Sequence, residues 1–303
     1  MPYLPLTRKT KAAIILLCMS LSLARLFALL LFEREALKFQ NVGGTVIALP
    51  TTLEFNKAIL EALILGLLPY TIIEVMNRSY INSIEAHIPV FMREIAEEIT
   101  SGHPFMQALE IVALRSAGPL GHEIRKALYR VRLGETLEEA FSWLRSRIPS
   151  VKLSRVLIII EVAGRSGGRV AEVLNTSAKI VALIESFEEE RKSRIKPYVS
   201  TVYIALFMLL VISFILIEIF FRPFTMVTEG PIFVSGVSIA VYESIFFYIE
   251  IIESIFGGFV AGKIAEGSIK ASFKHVLLLL IMSYVSTVYV FPLLRPFLHI
   301  GFS

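Results

Sequence analysis

The chain has 303 residues, of which 55% are hydrophobic and 18% charged, with a formal net charge of +4 and a single cysteine. A composition this apolar excludes an ordinary soluble domain and puts most of the chain in lipid. One cysteine also excludes an internal disulfide and a cysteine-based metal cluster.

In chain order, the bases Arg8, Lys9 and Lys11 lead into an apolar run at 12–32. That run is long enough for a bilayer core of about 30 Å, which takes roughly 20 helical residues. It continues into FEREALKF without a small-residue cleavage site, so it reads as an uncleaved anchor and not as a secretory leader. Cys18 fits it as a small apolar residue, and Arg25 is a charge within it. A second run at 57–75 completes an N-terminal membrane part, 1–75. Further runs at 197–221, 234–256 and 275–294 make a C-terminal membrane part, 197–303, and bring the expected spans to five.

Between these parts lie residues 76–196, long enough for one compact domain. They hold a threefold pattern: SGHPFMQAL at 101–109, LGETLEEAF at 133–141 and SGGRVAEVL at 166–174. Aligned on Gly102, Gly134 and Gly167, the units are spaced by 32 and 33 residues, and each follows its glycine with apolar residues three and four apart. That spacing marks one face of a helix. Another helical pattern precedes each glycine, and a glycine just past a helix end takes the left-handed conformation that closes the last turn. Each unit therefore reads helix, glycine corner, helix, with Pro104 suited to a first turn. Ser116-Ala117-Gly118-Pro119 and Ile148-Pro149-Ser150 separate the units. The expected fold is an all-α integral membrane protein: five transmembrane helices with one cytoplasmic six-helix bundle of three helical hairpins.

The third corner, IIIEVAGRSGGRVAEVL at 158–174, has Gly164, Gly167 and Gly168 together. A phosphate loop of the GxxxxGK[ST] type needs Lys and Ser or Thr at its end, which GRSGGR lacks. A helical corner explains the glycines at three places, whereas a phosphate site explains one. Arg165 and Arg169 flank a helix N-terminus, where an anion is favoured, or they are solvated arginines at a hairpin tip.

From Arg169 to about Phe221 the helical pattern is interrupted only by Pro197. The last domain helix is thus expected to enter the third span as one rod of about 50 residues, on the order of 75 Å, with a kink or break at Pro197. Just before it, ESFEEERKSRIKP sets four acids against Arg191, Lys192, Arg194 and Lys196. Acid before base at four-residue spacing supports a solvated helix, and bases beside a span suit anionic headgroups.

Charges inside spans suggest a functional site by default. They are Arg25, Glu218, Glu243, Glu250 and Glu253, with Glu243 near mid-span and Glu250 seven residues on, on the same face. Arg25 is expected to pair with Glu243 or Glu218, within the bundle or across a dimer. The alternative is that the acidic face guides a positively charged N-terminal segment of an incoming subunit.

Cationic loops stay on the cytoplasmic side. The segments read as inner carry Arg8, Lys9 and Lys11, then 18 Lys or Arg in 76–196, then Lys263, Lys270 and Lys274; the outer ones carry Arg34, Lys38, Arg222 and Arg295. The N-terminus and 76–196 are therefore expected in the cytoplasm and the C-terminus outside. Residues 76–196 balance 18 bases with 15 acids, unlike a nucleic-acid binder. The five histidines have no metal-ligand spacing, and no HExxH, serine-elbow or kinase motif occurs.

GHPFMQAL, the LGETLEEAF and RIPS segment, and VAGRSGGRVAEVL leading into a span resemble the F-type inner-membrane platform domain. That domain belongs to type II secretion, type IV pilus, Tad and archaellum systems. GGFVAGKIAEGSIKASFKH before the last span resembles the archaeal members. The resemblance covers 87–217 and this C-terminal stretch. Many members have Glu where this chain has Arg165, so that acid's role does not carry over. Many also have two cytoplasmic domains, which implies self-association or a paired second platform subunit here.

The resemblance implies a non-enzymatic platform without a cofactor, in contact with membrane lipid. It receives pilin-like subunits and is coupled to a hexameric secretion ATPase, with contact candidates Arg165, Arg169, Arg191, Lys192 and Arg194. The competing classes are a polytopic transporter or channel, and a membrane-bound sensor or intramembrane enzyme. Against transport, no inverted repeat of spans is visible.

Overall fold

The computed structural model describes residues 8–32, 39–41, 48–223 and 238–300. Arg34 and Lys38, counted among the outer bases, and residues 234–237 of the expected fourth span lie outside the described residues. In chain order the elements are α1 (Arg8–Phe32), a two-stranded antiparallel ribbon of β1 (Phe39–Asn41) and β2 (Ala48–Pro50), and α2 (Leu53–Ala86). Then follow α3 (Ile88–Thr100), α4 (Phe105–Arg115), α5 (Pro119–Arg132), α6 (Leu137–Arg147), α7 (Val151–Gly164) and α8 (Val170–Ile215). The last are α9 (Ile239–Glu266), α10 (Ile269–Val285) and α11 (Phe291–Ile300). The ribbon, corners and short linkers apart, the described residues are helical. Five stretches are long and apolar enough to cross a membrane: Ala12–Phe32, within Leu53–Thr100, within Gly167–Phe221, Ile239–Glu266 and Ile269–Pro296.

The chain divides into two compact units, one holding Val75–Arg191 and the other Arg8–Glu74 with Lys192–Ser303. In the first, α3 to α7, the end of α2 and the start of α8 enclose one core. Met92 and Ile95, Leu109 and Val112, Ile124, Phe141 and Leu144, Leu157 and Ile160, and Leu174 are all buried in it. These are the apolar positions three and four apart that the helical pattern picks out, one stripe per helix.

The three repeat glycines take positive φ: +98° at Gly102, +104° at Gly134 and +61° at Gly167. The first two corners share one construction. His103 N–H donates to Glu98 O at 3.1 Å and Glu135 N–H to Arg130 O at 3.2 Å, each spanning the helix end as in a Schellman closure. The third differs, since a 3-10 turn at Gly167–Arg169 links the corner to α8.

Two of the five glycines read as corner residues do something else. Gly164 ends α7 where an added Cβ would lie 2.5 Å from the Phe105 ring, so it admits a close contact. Gly168 has neither positive φ nor any neighbour within 4 Å of that position, and nothing in the structure explains it.

After the second corner, Thr136 caps α6. Its hydroxyl accepts from Glu139 N–H at 3.2 Å, and Thr136 N–H donates to the Glu139 carboxylate at 2.8 Å, a capping box. The Thr136 amide holds the Glu139 carboxyl below the ordinary carboxylate range. Arg132, bonded to Glu110 at 3.1 and 3.0 Å, does the same there. As pH falls, the unfolded chain takes up these protons first. Their stabilisation is therefore complete above the ordinary carboxylate range and lost as pH drops through the depressed one. Thermal unfolding of the full-length protein in detergent, followed by circular dichroism from pH 7 to pH 3, should show this loss. Glu139→Gln, which no longer titrates, should remove the Glu139 part, and an unchanged profile in that variant refutes it.

In the second unit α9 and α10 form a hairpin closed by Gly267 in the left-handed conformation. Ideal Cβ atoms on Gly258 and Gly262 would lie 2.5 Å from Val276 Cα and 2.2 Å from Ser272 Cα, so the two backbones touch at these glycines. Lipid offers helices no hydrophobic drive to associate, and small residues one turn apart allow this approach. α8 contains Pro197 without ending there, and the expected kink or break is not a helix terminus. Large apolar side chains such as Leu16, Leu23 and Phe27 of α1 stand exposed, as lipid-facing positions do.

Candidate functional site

In the first unit, the corner arginines lie on the surface. Arg165 pairs with Glu138 in the first turn of α6, and both side chains are largely exposed. Such a pair contributes little stability, so it orients Arg165 more than it holds the fold. Arg169 is also exposed. Further along α8, Arg191 belongs to this unit and is exposed, whereas Lys192 and Arg194 are exposed within the second. Glu188 on the same stretch reaches Lys152 on α7 at 2.5 Å, so the acids there are not all solvated.

In the second unit the membrane charges sort differently from the sequence expectation. Arg25 pairs with Glu61 of α2 at 2.5 Å, not with Glu218 or Glu243. α1 lies beside α2, and Tyr284 of α10 donates to the same carboxylate at 2.7 Å. Glu218 and Glu243 are instead held by Arg222 and Arg295. Arg222 bonds Glu218 at 2.6 and 3.0 Å and Glu243 at 3.0 Å; Arg295 bonds Glu218 at 2.6 Å and Glu243 at 2.9 Å. Nor is Glu243 at mid-span. α9 begins at Ile239, which puts Glu243 in its second turn, level with this four-residue network.

Glu250 is the deeper acid, only 2% exposed. It accepts from Ser213 at 2.8 Å, Thr287 at 3.3 Å and Ser283 at 3.4 Å, hydroxyls contributed from either side of α9. Glu218 and Thr287 both lie in π-helical turns, Leu216–Phe221 and Ser286–Val290. Such a turn inserts one residue and re-aims the side chains on it, a feature frequent at functional sites. The network and Glu250 border one cavity of about 80 Å³, also lined by Asn56, Ser244 and Phe291. It can fix four helical segments by charge and hydrogen bonding. No group of three metal-ligating side chains occurs among the described residues.

Sequence reasoning passed over Glu61, although a glutamate inside the 57–75 run was visible. Arg222, four residues after Glu218, could also have been found by helical spacing. Arg295 and the hydroxyls around Glu250 come from other helices and carried no local signal.

The family model of the type II secretion system (T2SS), protein F, matches residues 91–217. An uncharacterized protein of Methanocaldococcus jannaschii is 26% identical over 219 residues, which are 72% of this chain and 36% of that relative. The chain thus spans well under half the length of the curated relative it matches. No solved structure matches.

Proposed function

We propose that this chain, whose residues 91–217 match the family model of the type II secretion system protein F and which has five helices long and apolar enough to cross a membrane among its described residues, is a non-enzymatic assembly platform of the cytoplasmic membrane. In this reading a cytoplasmic hexameric ATPase does the hydrolysis, and the platform passes its motion to pilin-like subunits in the bilayer, building a pilus-like or archaellum-like filament or driving type II-like secretion. The archaeal relative favours an archaeal machine. Residues 76–196 and the N-terminus face the cytoplasm, and the C-terminus faces outward, following the distribution of bases.

One observation carries the reading. The family match runs from within α3 to residue 217, taking in the three corners and the apolar part of α8 as a single segment. α8 continues from Val170 to Ile215, and in this reading it is the element that passes the mechanical step on. The corners supply rigid tips for a partner, with Arg165 and Arg169 exposed at the third. With one such domain, the chain works as a homo-oligomer or beside a second platform subunit.

The test is a pull-down of detergent-solubilised full-length protein from the cells that make it, with mass spectrometry of what stays bound. A secretion-type ATPase and pilin-like subunits are expected. Arg165→Glu/Arg169→Glu is expected to reduce ATPase recovery at least tenfold while keeping the pilin-like subunits. If neither partner is recovered and the protein in liposomes moves a solute, the platform reading gives way to a transporter.

A further inference from the structure

Among its described residues the second unit carries its charges asymmetrically, and the packing of its helices aligns them. Gly257 of α9 meets Val202 of α8, since an added Cβ would lie 3.0 Å from Val202 Cγ1. Tyr203 of α8 and His275 of α10 are hydrogen-bond partners at 2.8 Å. Further along, Phe214 stacks on Phe291 at the start of α11, so α8 runs the same way as α10 and its continuation, and α9 runs against them.

From these contacts the ends can be aligned. Lys196 precedes Val202 by six residues and Lys263 follows Gly257 by six, so on antiparallel helices both lie about 9 Å beyond the contact, towards the same end. Lys270 precedes His275 by five residues, in the first turn of α10, and comes to the same level within about one helical turn. All three side chains are exposed.

Among the described residues of this unit the bases at this end outnumber the acids. Glu266 pairs with Lys274, and Glu74, four residues past Tyr70, which packs edge-on against Phe273, comes level with the start of α10 as the acid that α2 contributes here. Lys192 and Arg194 precede Lys196. At the other end Arg222 and Arg295 are neutralised by Glu218 and Glu243. Tyr198, exposed two residues inside the band, is a residue type that settles at the headgroup level.

We propose that Lys196, Lys263 and Lys270, one from each of three neighbouring helices, form a band that binds anionic phospholipid headgroups where α9 turns into α10. The band holds the hairpin and the entry of α8 at one depth in the bilayer. It rests on the membrane unit alone, so it stands or falls independently of the platform reading.

The experiment is native mass spectrometry of the full-length protein in detergent, titrated with phosphatidylglycerol and with phosphatidylcholine of the same chain length. The wild type should retain phosphatidylglycerol preferentially. Lys196→Gln/Lys263→Gln/Lys270→Gln should lower that retention at least tenfold, because each base near an anionic surface contributes separately. The corresponding triple arginine variant should keep it, which separates loss of charge from loss of fold. Equal retention of both lipids by the wild type overturns the proposal, as does an undiminished preference in the glutamine variant. Displacement of phosphatidylglycerol by millimolar inorganic phosphate would make the band a site for free phosphate, and would overturn it too.

Discussion

Gly262→Ala lowers the unfolding midpoint of the full-length protein by an amount equivalent to about 2 kcal/mol or more, the range of overpacking in a tight core. The added methyl would sit 2.2 Å from Ser272 Cα and 2.6 Å from Ser272 Oγ. Backbone cannot rotate away as a side-chain tip can, so α9 and α10 must separate. Separation also stretches the 3.1 Å bond from Ser272 Oγ to Phe259 O. Gly258→Ala meets Val276 N and Cα at 2.5 Å and should behave alike, one turn further along. Gly168→Ala is the control: its methyl meets nothing within 4 Å, and it should leave stability unchanged or raise it by up to about 1 kcal/mol. Circular dichroism at 222 nm against denaturant, in one detergent, reads all three. A Gly262→Ala midpoint equal to that of Gly168→Ala would mean the helices do not touch there.

The second large effect is expected at Glu218, whose side chain is 3% exposed and receives both arginines. Its two oxygens take three of the network's five hydrogen bonds. Glu218→Gln removes the charge but keeps the shape, leaving two neighbouring guanidinium groups to share Glu243. Because Arg222 and Arg295 are 22% and 39% exposed and keep Glu243, the cost stays below the roughly 3–5 kcal/mol of breaking a fully buried pair. Arg25→Gln should be milder, since Arg25 and Glu61 are 21% and 29% exposed and form a single pair. The decisive comparison is Glu218→Gln/Arg295→Gln, which should be less destabilised than the sum of its single changes by about 0.5–3 kcal/mol. Strict additivity would show that Glu218 and Arg295 do not interact.

Both expectations depend on contacts between helices that are remote in the chain, and there the sequence reading was weakest. Intramembrane charges stood out one by one because each is rare in an apolar run. Their partners did not, since any arginine near a span end is an equal candidate until the helices are packed. Arg25 was therefore assigned to Glu218 or Glu243 while Glu61 sat in the adjacent helix. In GGFVAGK the four-residue spacing of Gly258 and Gly262 is the local trace of a helix contact, and only the packing names Val276 and Ser272 as the partners.

What the sequence by itself determined is everything local in the chain. Composition made this a membrane protein, run length marked the five apolar helices, and the repeat at Gly102, Gly134 and Gly167 announced three corners before any coordinates. These are legible because hydrophobic periodicity and the positive φ of glycine act within a few residues. The tertiary structure decided which charges neutralise each other, that Glu250 is surrounded by hydroxyls, and that Lys196, Lys263 and Lys270 share a level. Coulombic and hydrogen-bond partners are chosen by distance in space, and in an antiparallel bundle that distance follows from helix order and register, which no local pattern encodes.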